Sequence, residues 1–213
     1  MQELNNFYQE KLYEIPTELC QIMNECGSDK GNGHHNYTTL YYFLWDKIKN
    51  GIKNVFEVGI GTTNPEFPHG MGPNGVVGAS LFGWKRYFEN SNIYSCDIDP
   101  NCLFNEDRIK TFYCDQRDSS GIKKMFTVIN CKEFDIIIDD GLHVFSANLM
   151  FLYNSIEFLK KGGFYLIEDI DIPYLKEASE FVENNKNNFK YIGLMKIPNP
   201  KNNIDNNLIL IIK

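Results

Sequence analysis

The fold is decided by the stretch Phe134–His143, which reads FDIIIDDGLH. An apolar strand core, Ile136–Ile138, breaks there into two carboxylates, a glycine and an imidazole. A second run, Phe164–Asp169, has the same character and reads FYLIED. In an open parallel sheet the carboxyl ends of the strands meet at one edge, where ligands of such folds bind. We therefore expect four acids and a base to line one cleft.

The charged side chains at these two strand ends are Asp139, Asp140, His143, Glu168 and Asp169. Like charges gather beside apolar strands only with a compensating cation, so a divalent metal held by oxygen ligands is the leading interpretation. His143 would then be the proton acceptor. The alternative is that the Asp139–Asp140 pair caps the next helix, that the Glu168–Asp169 pair lies in a solvated loop, and that His143 is a cap or core residue. The two acidic pairs together favour chemistry.

Composition restricts the class of protein. The 213 residues contain no low-complexity tract or linker, which predicts one domain over residues 1–213. A net charge of -7 without a basic stripe disfavours nucleic acid as a partner. No stretch reaches the roughly 20 apolar residues that a membrane span needs, and residues 1–16 lack an apolar signal segment. Six cysteines without a C-x-x-C pair argue against a zinc site and a disulfide framework. We expect a cytoplasmic protein that binds neither nucleic acid nor membrane.

Strand and helix signals alternate along most of the chain, which is typical of an α/β protein with a mainly parallel sheet. We expect a helical cap and loop over residues 1–52 and an α/β core over residues 53–213. The predicted strands are 54–58, 92–96, 111–114, one that ends at Ile138, one that ends at Ile167, 191–195 and 207–212. The predicted helices are 5–24, 38–50, 81–88, 122–129, 144–159, with a stop signal at Lys160–Gly163, and 175–185. The last two strands are joined by a short connection and must be antiparallel, so the sheet ends in a hairpin.

The loop after the first strand indicates a nucleoside ligand. Glu57–Gly61 reads EVGIG, and its alternating glycines let a ligand approach the backbone closely. It lacks the third glycine of the dinucleotide fingerprint, and the Pro/Gly-rich insertion Thr62–Gly78 follows in place of a helix, which disfavours a nicotinamide dehydrogenase. Asp97 follows the second strand and could bind ribose hydroxyls, while Asp115 and Gln116 follow the third and could bind an adenine edge. Each acid alone could be a turn residue, but in strand order they fit an adenosine bound across three strands.

The chain resembles the class I S-adenosylmethionine-dependent methyltransferases, and within them the metal-dependent macrolide-sugar O-methyltransferases of the mycinamicin and macrocin type. The resemblance covers most of the chain. It rests on the motifs Ser28–Gly31 with His35–Thr38, Glu57–Gly61, Gly78–Leu81 with Trp84–Phe88, Cys114–Gln116, Asp139–His143 and Ile167–Asp169. It implies a Rossmann-like α/β fold whose seven-stranded, mostly parallel sheet has the order 3-2-1-4-5-7-6 and a C-terminal antiparallel hairpin.

The resemblance also implies roles for residues. Its metal ligands would be Asp140, Glu168 and Asp169, and its catalytic residues His143, as general base, and Asp140. The predicted contacts with S-adenosylmethionine are Glu57, Gly59, Gly61, Ser80, Asp97, Asp115, Gln116 and Asp139. Ligation by carboxylate oxygens suits Mg²⁺ best, with Mn²⁺ or Fe²⁺ as alternatives.

These assignments predict an S-adenosylmethionine-dependent, divalent-metal-dependent O-methyltransferase. Its acceptor would be a sugar hydroxyl, because two neighbouring hydroxyls can chelate a metal, in a sugar nucleotide or a glycoside of a polysaccharide or natural-product pathway. The alternatives are a small-molecule catechol-type O- or N-methyltransferase and a non-catalytic S-adenosylmethionine-binding module. The resemblance leaves the oligomeric state, including a homo-oligomer, open.

Overall fold

The computed structural model of this chain describes residues 2–67 and 70–213, with side chains from residue 4 onward. Within those ranges the chain forms one mixed sheet of eight strands with helices on both faces. The strands are β1 (Asn54–Val58), β2 (Asn92–Asp97), β3 (Asn105–Glu106), β4 (Ile109–Tyr113), β5 (Phe134–Asp139), β6 (Leu159–Ile167), β7 (Tyr191–Lys196) and β8 (Asn207–Ile212). The helices are α1 (Gln2–Gln9), α2 (Glu18–Cys26), α3 (Tyr37–Trp45), α4 (Ala79–Tyr87), α5 (Ser119–Ile129), α6 (Phe145–Ser155) and α7 (Leu175–Asn184). Among these described helices, each is too short or too polar to act as a transmembrane span.

The strands lie in the order β3-β4-β2-β1-β5-β6-β8-β7. The strands from β4 to β6 in this order pair in parallel, whereas β8 pairs antiparallel with both β6 and β7. The α/β class, the mostly parallel sheet and the antiparallel C-terminal pair are therefore as the sequence predicts.

The predicted number of seven strands is wrong. The additional strand, β3, has two residues and pairs antiparallel with β4, with Glu106 opposite Ile109. Asp107 and Arg108 form the turn between them, and Arg108 has a φ of +60°. Two exposed residues are too short to produce a periodic sequence signal. The other seven strands lie in the predicted order.

The predicted helix over residues 5–24 is also wrong, because two separate helices, α1 and α2, occupy that segment. Lys11 has a left-handed backbone conformation, and a short 3₁₀ turn, Leu12–Glu14, follows it. The second helix starts afresh at Thr17, whose hydroxyl accepts a hydrogen bond from the backbone N–H of Cys20 at 3.3 Å. Such a cap satisfies one of the unpaired N–H groups of a helix start.

The helix stop predicted at Lys160–Gly163 is a third error. Helix α6 ends earlier, at Ser155, and these residues lie in β6. Their backbone partners come from a distant part of the chain: the N–H of Gly162 donates to the carbonyl of Lys213 at 2.7 Å, and the N–H of Lys213 donates to the carbonyl of Gly163 at 3.1 Å. Long-range pairing of this kind overrides the local Lys-Gly signal.

The central strands are buried on both faces. In β5, Ile136 and Ile138 pack into the core below α2, α3 and α4, and Ile137 packs into the core below α5, α6 and α7. Parallel strands covered on both faces are expected to be continuously apolar, which explains the uninterrupted run in this strand. Because Val58 of β1 is level with Asp139, and Asp139 is level with Ile167 of β6, the polar residues that follow these strands emerge together.

Candidate active site

One cleft runs along the carboxyl edge of the parallel strands and has two connected parts. The part that we call the acidic pocket is lined by residues that include Ser28, Asp29, Lys30, Gly61, Ser80, Asp140, His143 and Asp169. The part that we call the apolar pocket is lined by residues that include Val58, Phe67, Cys96, Asp97, Ile98, Cys114, Asp115, Gln116 and Leu142. Gly59, Thr62 and Gly141 line both parts, so a single extended ligand can occupy the two together.

Three of the predicted site residues meet in the acidic pocket. The Nε2 atom of His143 lies 3.0 Å from Oδ1 of Asp140 and 3.3 Å from Oδ2 of Asp169. One ligand atom from each residue lies within 4.8 Å of the others, a spacing that one metal ion can bridge. His143 and Asp169 both have positive φ values, +55° and +54°, which are uncommon for residues other than glycine and cluster at functional sites.

Glu168, the third predicted metal ligand, points toward the protein interior. One of its carboxylate oxygens accepts a hydrogen bond from the ammonium of Lys30, and the other accepts one from the hydroxyl of Tyr41. The carboxylate is fully buried. Lys30 also lies 2.5 Å from Oδ2 of Asp140 and 3.5 Å from Oε1 of Glu57. The side chain of Glu168 is thus paired with a cation of the chain itself, and its role as a metal ligand stays a prediction.

Helix α3 orients both acids that follow β6. The hydroxyl of Tyr37 donates to Oδ1 of Asp169 at 2.7 Å, and Tyr41, one helical turn later, donates to Glu168. Residues four apart lie on the same face of a helix, so one face serves two successive carboxylates. The ring of His35 stacks on Tyr37, with centroids 4.9 Å apart. The sequence does not predict that Tyr41 or Lys30 pairs with these acids, since neither residue follows a strand.

The charges in this pocket shift one another's pKa values. Burial raises the pKa of Glu168 well above its ordinary value, although Lys30 opposes that shift. For Asp140 burial acts in the same direction, but the charges of Lys30 and His143 outweigh it and hold the pKa well below the usual range. Burial would lower the pKa of His143, but the hydrogen bond to Asp140 and the charge of Asp169 raise it to about 9. The neighbouring carboxylates therefore favour the protonated form of His143.

The two glycines of the Glu57–Gly61 loop are required by close approaches. Gly59 has a φ of +92°, and a side chain there would collide with the backbone carbonyl of Asp140. Gly61 has a φ of +86°, and a side chain there would collide with the sulfur of Met71. Glycine adopts such conformations without the steric cost that other residues meet. The loop can therefore lie directly against the end of β5.

The apolar pocket carries polar groups at its rim. Asp97 accepts hydrogen bonds from the backbone N–H groups of Ile60, at 2.8 Å, and Asp99, at 2.9 Å. Asp115 binds the guanidinium of Arg117 through both oxygens, at 3.0 and 2.9 Å, and this pairing lowers its pKa. Oδ1 of Asp115 also accepts the backbone N–H of Arg117 at 2.9 Å, but Oδ2 of Asp115 and both oxygens of Asp97 each accept one of these hydrogen bonds and have a second lone pair, so both acids keep acceptor capacity.

The structure places the predicted cofactor residues at two depths. Gly59, Gly61, Ser80, Asp97, Asp115 and Gln116 line the cleft. Glu57 and Asp139 are fully buried beneath it. Glu57 accepts hydrogen bonds from the hydroxyl of Ser80, at 2.8 Å, and from the indole of Trp84, while Asp139 binds the side chain of Gln116. Burial raises the pKa of Asp139 to about 7. These two carboxylates orient side chains that face the cleft, and direct contact with a cofactor stays a prediction.

Comparison with curated proteins finds O-methyltransferases, although no family model matches the chain. The chain is 32% identical over 149 residues, or 70% of its length, to 8-demethyl-8-alpha-L-rhamnosyl tetracenomycin-C 2'-O-methyltransferase of Streptomyces olivaceus. It is 27% identical over 180 residues, or 84% of its length, to demethylmacrocin O-methyltransferase of Streptomyces fradiae. The matched residues make up 36% of the first relative and 43% of the second, so the chain spans less than half the length of either.

A solved structure shares the fold. It is the MycE methyltransferase of the mycinamycin biosynthetic pathway, in complex with Mg and SAH, at 22% identity and a TM-score of 0.68 over 92% of this chain and 55% of that one. The chain thus has the fold of the class I S-adenosylmethionine-dependent methyltransferases, with its cleft at the expected edge of the sheet. In sequence it is a homologue of the macrolide-sugar O-methyltransferases of the macrocin and mycinamicin type.

Proposed function

We propose that this chain is an S-adenosylmethionine-dependent, divalent-metal-dependent O-methyltransferase that acts on a sugar hydroxyl. The proposal rests on the positions of Asp140, His143 and Asp169. One potential ligand atom of each lies within 4.8 Å of the others, next to the apolar pocket. Two relatives from Streptomyces olivaceus support it, since both are O-methyltransferases of rhamnosyl tetracenomycin-C compounds.

The apolar pocket is the proposed site of the adenosine part of the cofactor. Asp97 and Asp115 offer carboxylate oxygens to hydroxyls, Gln116 faces the same space, and Ile98 and Leu142 provide apolar surface. The methionine part would extend along the glycines of the β1 loop and Ser80 into the acidic pocket, which lies at the other end of the same cleft. The SAH complex of the MycE methyltransferase supports this choice of cofactor.

The acidic pocket is the proposed metal site. Its donors are carboxylate oxygens of Asp140 and Asp169, with Glu168 behind them, and hard oxygen donors suit Mg²⁺, with Mn²⁺ or Fe²⁺ as alternatives. Bound there, a divalent cation would lower the pKa of an acceptor hydroxyl, and S-adenosylmethionine would supply the methyl group. An acceptor bound in the pocket would lie close to the proposed base, and such positioning is the main requirement of a displacement reaction.

His143 is the proposed general base, and Nε2 is the atom that would take the proton. It can accept a proton only in its neutral form, whereas its pKa is about 9 without metal. The carboxylates that hold its charge, Asp140 and Asp169, are the proposed metal ligands themselves. Neutralising them would remove the interactions that raise the pKa of His143, so we expect base function only when the site is filled.

The proposed acceptor is a sugar with neighbouring hydroxyls, in a glycoside or a sugar nucleotide of a natural-product or polysaccharide pathway. Among these, a glycoside has the support of the two relatives that act on rhamnosyl tetracenomycin-C. A panel experiment tests the proposal: the purified chain is incubated with S-adenosylmethionine, Mg²⁺ and either rhamnosylated glycosides or nucleotide sugars, and S-adenosylhomocysteine release is measured. His143→Ala serves as the matched control that should retain cofactor binding. Absence of release with every acceptor, together with absence of cofactor binding by calorimetry, would overturn the proposal.

A further inference from the structure

Lys30 is a buried cation at the centre of the acidic pocket. Its ammonium contacts Glu168, lies 2.5 Å from Oδ2 of Asp140 and lies 3.5 Å from Oε1 of Glu57. An ammonium has three N–H donors, and here three carboxylates surround it. The side chain is only 3% exposed, so water contributes little to its solvation.

The backbone of Lys30 is anchored, which fixes the position of the ammonium. The carbonyl of Lys30 accepts hydrogen bonds from the N–H of Thr38 at 3.2 Å and from the hydroxyl of Thr38 at 3.1 Å. Its N–H donates to the hydroxyl of Ser28 at 3.3 Å. The next residue, Gly31, packs so tightly against Asn24 that any side chain there would collide. The loop between α2 and α3 therefore holds the lysine against the ends of β5 and β6.

Lys30 uses oxygens that a metal would also need. Asp140 offers Oδ1 to His143 and Oδ2 to Lys30, and both oxygens of Glu168 are engaged, one by Lys30 and one by Tyr41. A divalent ion ligated by both Asp140 and Glu168 would approach the same oxygens as the ammonium. Two cations at such short range in a buried pocket repel each other strongly.

Resting on the proposed metal site, we propose that Lys30 is an internal counter-cation that holds Asp140 and Glu168 in the metal-free protein and is displaced from their oxygens when a divalent metal binds. It has two opposite effects. It stabilises the folded protein before metal is present, because buried carboxylates without a partner are costly. It also weakens metal binding, since every metal ion must first separate an ion pair.

The variant Lys30→Met tests the proposal, because methionine is an unbranched side chain only one atom shorter than lysine and carries no charge. The matched control is Lys160→Met, which removes an ammonium paired with the buried carboxylate of Asp135 at the other end of β6. Mn²⁺ affinity is measured by calorimetry on the full chain. We expect Lys30→Met to bind Mn²⁺ more tightly, by on the order of tenfold to hundredfold, and Lys160→Met to bind it as the wild type does.

The outcomes separate this inference from the proposed function. Equal Mn²⁺ affinity in the wild type and Lys30→Met, or weaker binding by the variant, overturns the role of Lys30 and leaves the metal site standing. Failure of the wild-type protein and both variants to bind Mn²⁺ overturns the metal site and the inference together.

A second measurement uses only the wild-type protein, so it remains informative if Lys30→Met does not fold without metal. In the wild-type protein, the ¹⁵N resonance of the Lys30 ammonium is followed by NMR during titration with Mg²⁺. We expect it to shift or disappear as the site saturates, because the ion pairs with Asp140 and Glu168 are broken. An ammonium resonance that is unchanged at saturating Mg²⁺ would contradict displacement.

Discussion

The side-chain amide of Gln116 donates hydrogen bonds to both carboxylate oxygens of Asp139, at 2.6 and 2.8 Å. Its carbonyl oxygen accepts a hydrogen bond from the backbone N–H of Leu142 at 2.9 Å. Gln116 thus connects the rim of the apolar pocket to the loop that carries Asp140 and His143. The same residue can therefore influence the cofactor side and the metal side of the cleft.

Removing this connection should destabilise the protein. In Gln116→Leu the buried Asp139 loses two hydrogen bonds, which costs about 1–3 kcal/mol of unfolding free energy. Urea denaturation measures the loss. The double variant Gln116→Leu/Asp139→Leu should lose less than the sum of the two single variants, because the polar partner is removed along with the donor. Strict additivity would show that the two side chains do not act as a pair.

Asp97 should contribute to cofactor affinity. We expect Asp97→Ala to weaken binding of S-adenosylmethionine or S-adenosylhomocysteine by about 1–3 kcal/mol, because a hydrogen-bonding carboxylate is lost from the rim of the pocket and the Ile60 N–H loses its acceptor. Calorimetry gives the affinity. Asp107→Ala, which removes an exposed acid in the β3–β4 turn, is the control. Equal affinities for the two variants would contradict the assignment.

Variants of the proposed metal ligands and of the proposed general base should have different effects on turnover. Alanine at Asp140, Glu168 or Asp169 should abolish metal-dependent turnover while leaving cofactor binding nearly intact. His143→Ala should retain metal and lose roughly 10²–10⁴ in kcat, the usual contribution of a general base, with partial recovery at higher pH. Steady-state kinetics over pH and metal concentration distinguish the two. A near wild-type kcat with normal pH dependence for His143→Ala would mean that another group takes the proton.

The metal-free protein should lose stability as the solution becomes alkaline. The pKa of His143 is raised from 6.5 to about 9 in the folded state. Its ion pairs with Asp140 and Asp169 therefore contribute fully below pH 6.5, and the contribution is lost as the pH rises through about 9. Urea denaturation in EDTA between these values should show a decline on the order of 1–3 kcal/mol. His143→Gln should flatten it, and an equal decline in that variant would assign the effect to other groups.

The sequence predicts correctly that the polar residues after β5 and β6 lie together. The apolar runs identify β5 and the C-terminal half of β6, and the parallel topology then brings Asp140, His143 and Asp169 to one edge. The sequence does not predict which side chains pair with the acids at this edge. Lys30 lies in a loop 110 residues before Asp140, and Tyr41 lies on a helix 127 residues before Glu168. Contacts of that kind depend on tertiary packing and leave no local pattern.

The errors in the predicted fold have two origins, one local and one long-range. The composition of residues 5–24 favours a helix throughout. The left-handed backbone conformation of Lys11 and the N-cap at Thr17 nevertheless divide the segment into two helices. Lys160–Gly163 has the composition of a helix end, yet pairing with Lys213 extends β6 through it. In the first case local backbone conformation ends one helix and starts another. In the second case pairing with a distant part of the chain extends a strand.

The most direct test of the account is methyl transfer with the metal removed and restored. The full chain is incubated with S-adenosylmethionine and the best acceptor of the glycoside and nucleotide-sugar panel, and the O-methylated sugar is quantified by mass spectrometry. We expect product with one S-adenosylhomocysteine per methyl group, loss of product in excess EDTA, and recovery when Mg²⁺ or Mn²⁺ is added beyond the chelator. Product formed at the same rate in excess EDTA would contradict the metal-dependent mechanism.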